Sequence, residues 1–73
     1  MFNRSKLRGK MAEKEISVEK MAYSIGINPA TLYRKTIGES EFTRSEIQKI
    51  AAILSLSMQE VKDIFFADEL AET

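Results

Sequence analysis

The sequence predicts an all-α fold in which five short helices cross around one small core. Three observations carry that expectation. Apolar residues recur at helical spacing, most clearly Ile47, Ile50, Ala51 and Leu54 at i, i+3, i+4 and i+7. Helix-start signals recur along the chain, including the S/T-x-x-E capping box at Thr43–Glu46 and again at Ser57–Glu60. No strand signal competes: β-branched residues never alternate over four or more positions, and no Asn-Gly or Asp-Gly pair marks a hairpin.

Each element follows from its punctuation. Leu7 and Met11 give a narrow apolar stripe between charged residues, which predicts a surface helix over about 4–14. Ser17 is a good N-cap, and Ile16 before it can staple onto Met21, so a second helix is expected over about 18–25. Gly26 supplies the permissive backbone of a sharp turn. Asn28 then caps a third helix over about 29–37, with Pro29 at its first position and Ile27 stapling onto Leu32. After Gly38 and the polar loop Glu39-Ser40-Glu41, the first capping box opens a fourth helix, with Phe42 and Ile47 as staple. The second box opens a fifth, with Leu56 and Val61 as staple and Val61, Ile64 and Phe65 as its apolar face. Turns this short rule out an up-and-down bundle of long helices, so the helices must cross steeply. The expected core is Leu7, Met11, Met21, Ala22, Ile25, Leu32, Ile47, Ile50, Ala51, Leu54, Val61, Ile64 and Phe65.

Composition sets the limits on function. The 73 residues are 44% hydrophobic and 30% charged, which is the balance of one soluble globular domain spanning 1–73. There is no Cys and no His. Disulfides, zinc cages of those residues, Ser-His-Asp triads and Cys nucleophiles are therefore excluded, and neither enzyme activity nor a cofactor or metal is expected. The longest apolar run falls far short of the roughly 20 residues of a membrane span, and Met1-Phe2-Asn3-Arg4 has no apolar stretch behind it. No membrane partner is expected, and the expected location is the cytoplasm. Net charge is formally zero, yet the charges up to Lys10 are all basic (Arg4, Lys6, Arg8, Lys10), whereas from Ala51 onward acids dominate and lead into an acidic tail at about 67–73. Such polarity suits a protein that presents one pole to a polyanion.

The function-bearing segment is about 18–37. A helix ending at Ile25, the turn Gly26-Ile27-Asn28 and a helix opening at Pro29 have the spacing of a DNA-binding helix-turn-helix. Ala22 is small where the two helices would cross, Ile27 can plug the space under the turn, and Leu32 can anchor the second helix. With Leu32 inward, a step of about 100° per residue points Ala30 and Arg34 nearly opposite to it and sets Thr31 and Tyr33 beside them.

The run Met21-Ala22-Tyr23-Ser24-Ile25-Gly26-Ile27-Asn28-Pro29-Ala30-Thr31-Leu32-Tyr33-Arg34 resembles the helix-turn-helix of lambda-repressor-like regulators. Glu41-Phe42-Thr43-Arg44-Ser45-Glu46-Ile47 and Ile64-Phe65-Phe66 are similar to small Cro-type or modulator proteins of temperate phages in Gram-positive bacteria. The resemblance implies a transcription regulator in a bacterial host cell that binds double-stranded operator DNA, with helix three in the major groove and a homodimer as the usual binding unit. By matched position it puts Ala30, Tyr33 and Arg34 at base edges and Thr31, Lys35, Ser40 and Arg44 near phosphates, with Asn28 in the same surface. Arg34 is the sharpest candidate, because a guanidinium can bond guanine O6 and N7 together.

The chain also departs from the family pattern. Val18 stands where many members carry a phosphate-binding Gln, and Lys35 stands where an apolar residue is usual, its stem covering the core edge while its charge reaches out. Glu39 and Glu41 bring negative charge to the loop expected at phosphates. These departures, with expected spare apolar surface at Phe2, Phe66 and Leu70, support an alternative: an antirepressor that binds a phage repressor protein and blocks its DNA binding.

Overall fold

A computed structural model describes residues 2–66; the acidic tail at 67–73, with Leu70 in it, lies outside the described residues. The described chain forms α1 (Arg4–Glu13), α2 (Val18–Ile25), α3 (Pro29–Thr36), α4 (Arg44–Leu54) and α5 (Met58–Phe65), with no strand among these residues. The helix starts are chemical. Ser17 accepts from the Lys20 N–H, Asn28 from the Ala30 N–H, and both capping boxes close reciprocally, Thr43 with Glu46 and Ser57 with Glu60. A start signal not read from the sequence opens α1: Asn3 Oδ1 accepts from the Lys6 N–H at 3.1 Å.

α2 packs on α3 and α4, and α5 on α1 and α4. Between them lies a core of Leu7, Met11, Met21, Ala22, Ile25, Leu32, Ile50, Leu54 and Ile64, each expected from the sequence. Ile47, Ala51, Val61 and Phe65, also expected there, are half-buried instead, and of these Phe65 packs against the core. The staple residues Ile16, Ile27, Phe42 and Leu56 pack against the core from the turns.

The two chain ends of the described structure meet. The Asn3 N–H donates to the Ile64 carbonyl at 2.6 Å, and the rings of Phe2, Phe42 and Phe65 form a cluster with centroids 5.2 to 5.8 Å apart. The expectation of spare apolar surface at Phe2 is therefore corrected: the residue is half-buried in this cluster. Stacked and tilted contacts with two aromatic partners remove from water the ring face that a lone residue near a terminus would expose.

Candidate nucleic-acid interface

The α2–turn–α3 unit is built from small steps. Ala22 has no exposed surface, which lets α2 and α3 approach closely. Gly26 sits at φ +80°, in the left-handed region, and ends α2. Ile27 turns its side chain to the core while its N–H returns to the Ala22 carbonyl at 3.0 Å. Asn28 Oδ1 takes the Ala30 N–H at 2.8 Å, and Pro29 follows at N1. Leu32, 1% exposed, then fixes the rotation of α3.

That rotation sorts the candidate residues. Ala30, Tyr33 and Arg34 are exposed, Tyr33 to 53%, and Thr31 is half-buried beside them. Asn28 is exposed at the start of α3, its carbonyl oxygen committed to the cap and its amide N–H donors turned to no partner among the described residues. Ser40 is exposed in the loop after α3, and Arg44 is exposed at the first residue of α4. Among the described residues neither Arg34 nor Arg44 enters an ion pair.

Lys35 is the exception. Expected near phosphates, it points inward instead. Its Nζ donates to Glu46 Oε1 at 2.8 Å and to the Glu41 carbonyl at 3.0 Å, and the two side chains of the pair are 9% and 13% exposed. The reason is angular: Lys35 and Thr36 lie on the Leu32 side of α3, and all three are buried. Thr36 satisfies its hydroxyl by donating to the Tyr33 carbonyl at 2.7 Å. Glu46 serves twice, since the same Oε1 accepts the Thr43 N–H at 2.8 Å. Burial pushes its carboxyl up, but the Lys35 ammonium and the Thr43 N–H outweigh this and hold it below the usual carboxylate range. The capping-box spacing made the first role of Glu46 legible. The second links residues eleven apart and had no local signal.

The basic N-terminal residues are also partly spoken for. Lys6 pairs with Asp63 at 3.4 Å, and Lys10 pairs with Glu60 and, at 3.8 Å, with Glu13. Of the expected partner-facing apolar residues, Phe66 is 37% exposed, Phe2 is in the ring cluster, and Leu70 lies outside the described residues. The exposed Tyr33 and Arg34 on α3 are thus followed, one loop later, by the exposed Arg44 at the start of α4. A helix of eight residues with such a face has the dimensions and chemistry to enter a B-DNA major groove.

A family model described as the Cro/C1-type HTH DNA-binding domain matches residues 6–65. Neither a curated protein nor a solved structure matches the chain. No helix among the described residues is long and apolar enough to cross a membrane. The match runs from inside α1 to the last residue of α5 and so takes in every element that orients α3; the chain belongs to the Cro/C1-type helix-turn-helix domains, a family of regulators rather than enzymes, and is a DNA-binding transcription regulator.

Proposed function

We propose that the chain reads operator DNA in a sequence-specific, Cro-like manner, with α3 in the major groove and α2 across the backbone. The sorting of α3 carries this reading: Leu32, Lys35 and Thr36 hold the helix from inside, and Ala30, Tyr33 and Arg34 are left outside. Arg34 reads a guanine, Tyr33 and Ala30 lie against neighbouring base edges, and Thr31, Ser40, Arg44 and the Asn28 amide contact phosphates. Lys35 does not belong to the phosphate set, because its charge is satisfied internally. Two copies on half-sites about 34–36 Å apart would match the usual geometry of such domains. The likeness of 41–47 and 64–66 to small Cro-type or modulator proteins of temperate phages supports an operator in a phage or prophage control region.

Selection of duplexes from a random-sequence library by the purified protein tests this. Enrichment of one sequence, bound with an affinity that falls as log salt rises with a slope of about −0.9 per phosphate neutralised, is the expected result. Failure to enrich any sequence at low salt would overturn it.

One observation favours a second reading, the antirepressor. Lys6, Lys10 and Lys35 are all matched by acids of the same chain, and Phe66 keeps an exposed ring. Such a protein would bind a phage repressor through apolar burial and tolerate salt. A mobility shift of the neighbouring intergenic DNA, with and without the adjacent repressor, separates the two. Release of the repressor from DNA that the chain itself does not bind would establish the antirepressor.

A further inference from the structure

Among the described residues, α2 is the only helix against which α3 packs extensively. The loop after α3 and the start of α4, which carry Ser40 and Arg44, could therefore drift relative to the exposed face of α3. Loops are ordinarily the least restrained parts of a domain. Here the Lys35 ammonium ties the two together. It leaves α3 on the inner side, reaches the Glu41 carbonyl in the middle of the loop, and ends on Glu46 in the first turn of α4. Two further ties complete the frame. The Glu39 N–H returns to the Arg34 carbonyl at 2.9 Å, and Phe42 is held in the ring cluster. Ser40 thus sits between two fixed points, and Arg44 stands directly after the Thr43 cap that Glu46 closes.

A buried ion pair is a poor source of net stability, because desolvation offsets most of the attraction; apolar replacements of similar volume are often neutral. In some proteins such a group instead fixes which arrangement the chain adopts. We propose that the buried Lys35–Glu46 pair is a positioning device for DNA reading: it sets the distance and angle between the base-facing residues Tyr33 and Arg34 on α3 and the backbone-facing residues Ser40 and Arg44. Neither Lys35 nor Glu46 touches DNA in this assignment, which rests on the reading of α3 as the base-reading helix.

The test is the double variant Lys35→Met/Glu46→Gln. Met keeps the unbranched stem over the core edge, and Gln keeps an acceptor for the Thr43 N–H, so the capping box survives. The substitutions remove one positive and one negative charge, so net charge and the sequence-independent attraction to phosphates are unchanged. Binding would be measured to the duplex that the wild-type protein selects from a random library and to a scrambled duplex of the same composition, well below the melting temperature of either protein.

The expected result is a folded variant whose affinity for the selected duplex falls at least about tenfold, the loss of one good base contact, with affinity for the scrambled duplex unchanged. A purely structural pair would move the melting temperature and leave that ratio alone. A folded double variant with an unchanged ratio overturns the positioning role and leaves DNA reading intact. Failure of the wild-type protein to select any duplex overturns the reading on which the inference rests, and the inference with it. If the double variant does not fold, Lys35→Met alone, which severs the tie and leaves the less buried Glu46 on its Thr43 cap, is measured in its place: a fallen ratio supports the positioning role, and an unchanged one overturns it.

Discussion

Arg34 is exposed because Leu32, two residues earlier, is not: a helix that buries one side chain turns the residue about 200° further on toward solvent. Its substitution therefore separates binding from folding. Arg34→Ala should cost about 1–3 kcal/mol on the selected duplex and relax the preference at one base pair, while the melting temperature stays put. Equal operator affinity for variant and wild type in a binding titration would remove Arg34 from the readers. Gly9 gives a stability test with the opposite sign. It lies mid-helix on the exposed side of α1, and a Cβ built there meets nothing within 4 Å. Gly9→Ala should raise stability by about 1 kcal/mol, or about 4–8 °C in a domain of this size, with DNA binding unaltered. A lower melting temperature would mean that α1 is not helical at Gly9 in solution.

The helices are joined by one turn used three times. At Glu15, Gly26 and Ser55 the backbone enters the left-handed region, with φ of 57°, 80° and 54°. The apolar residue that follows, Ile16, Ile27 or Leu56, sends its N–H back to Met11, Ala22 or Ala51 at 2.9 to 3.0 Å and its side chain to the core. The next residue, Ser17, Asn28 or Ser57, is the N-cap of the following helix. Caps and staples were legible in the sequence because they depend on residue type at fixed spacing. The left-handed residues were legible only at Gly26, since Glu and Ser do not advertise a conformation that strains their Cβ by about 1–2 kcal/mol. In the site, the outward direction of Arg34 was legible from Leu32 by helical period alone. The same period puts Lys35 on the Leu32 side; the burial of its charge was not legible, because its partner lies on another helix and a long cationic stem can snorkel either way. The equivalence of the turns predicts opposite effects at matched positions. Ser55→Gly should raise stability by about 0.5–1 kcal/mol, the relieved strain less the greater freedom of glycine in the unfolded chain. Gly26→Val should lower it and unfold much of the population, since a β-branched residue resists φ +80° in a domain with little margin. Thermal unfolding of both variants checks the pair, and a destabilised Ser55→Gly would show that the turns are not equivalent.

At the scale of the whole molecule, the charge polarity of the sequence has a different meaning from the one it carries in one dimension. A basic beginning and acids in the last third read as two electrical poles. The fold instead lays α1 along α5, so that Lys6 meets Asp63 and Lys10 meets Glu60, beside the backbone bond from Asn3 to Ile64. Acid stability should report this closure. The Lys10 ammonium, with help from the Ser57 N–H, holds the Glu60 carboxyl down at about 2, against an ordinary 4.5. Asp63 is lowered as well, by the Gln59 amide first and Lys6 after it, and Glu46 is lowered in its own pair. Each of these carboxyls takes up its proton at higher pH in the unfolded chain than in the folded one. Their stabilisation is therefore complete above the ordinary carboxylate range and is lost as pH falls through it toward about 2. Lys10, raised by Glu60, gives the mirror-image term: it is present below the ordinary lysine range and lost as pH rises through the elevated value. The melting temperature should accordingly be flat across neutral pH and drop between about pH 4.5 and pH 2. Glu60→Gln tests the Lys10–Glu60 pair, because Gln still accepts the Ser57 N–H and keeps the capping box but cannot form an ion pair with Lys10. That variant should melt lower than wild type at pH 7 and show a shallower fall in acid, so the two melting curves converge as pH approaches 2. Parallel curves, offset by the same amount at every pH, would mean that Lys10 and Glu60 do not pair in solution and that α1 is held to α5 by the Lys6–Asp63 pair, the Phe2 cluster and the Asn3 backbone bond.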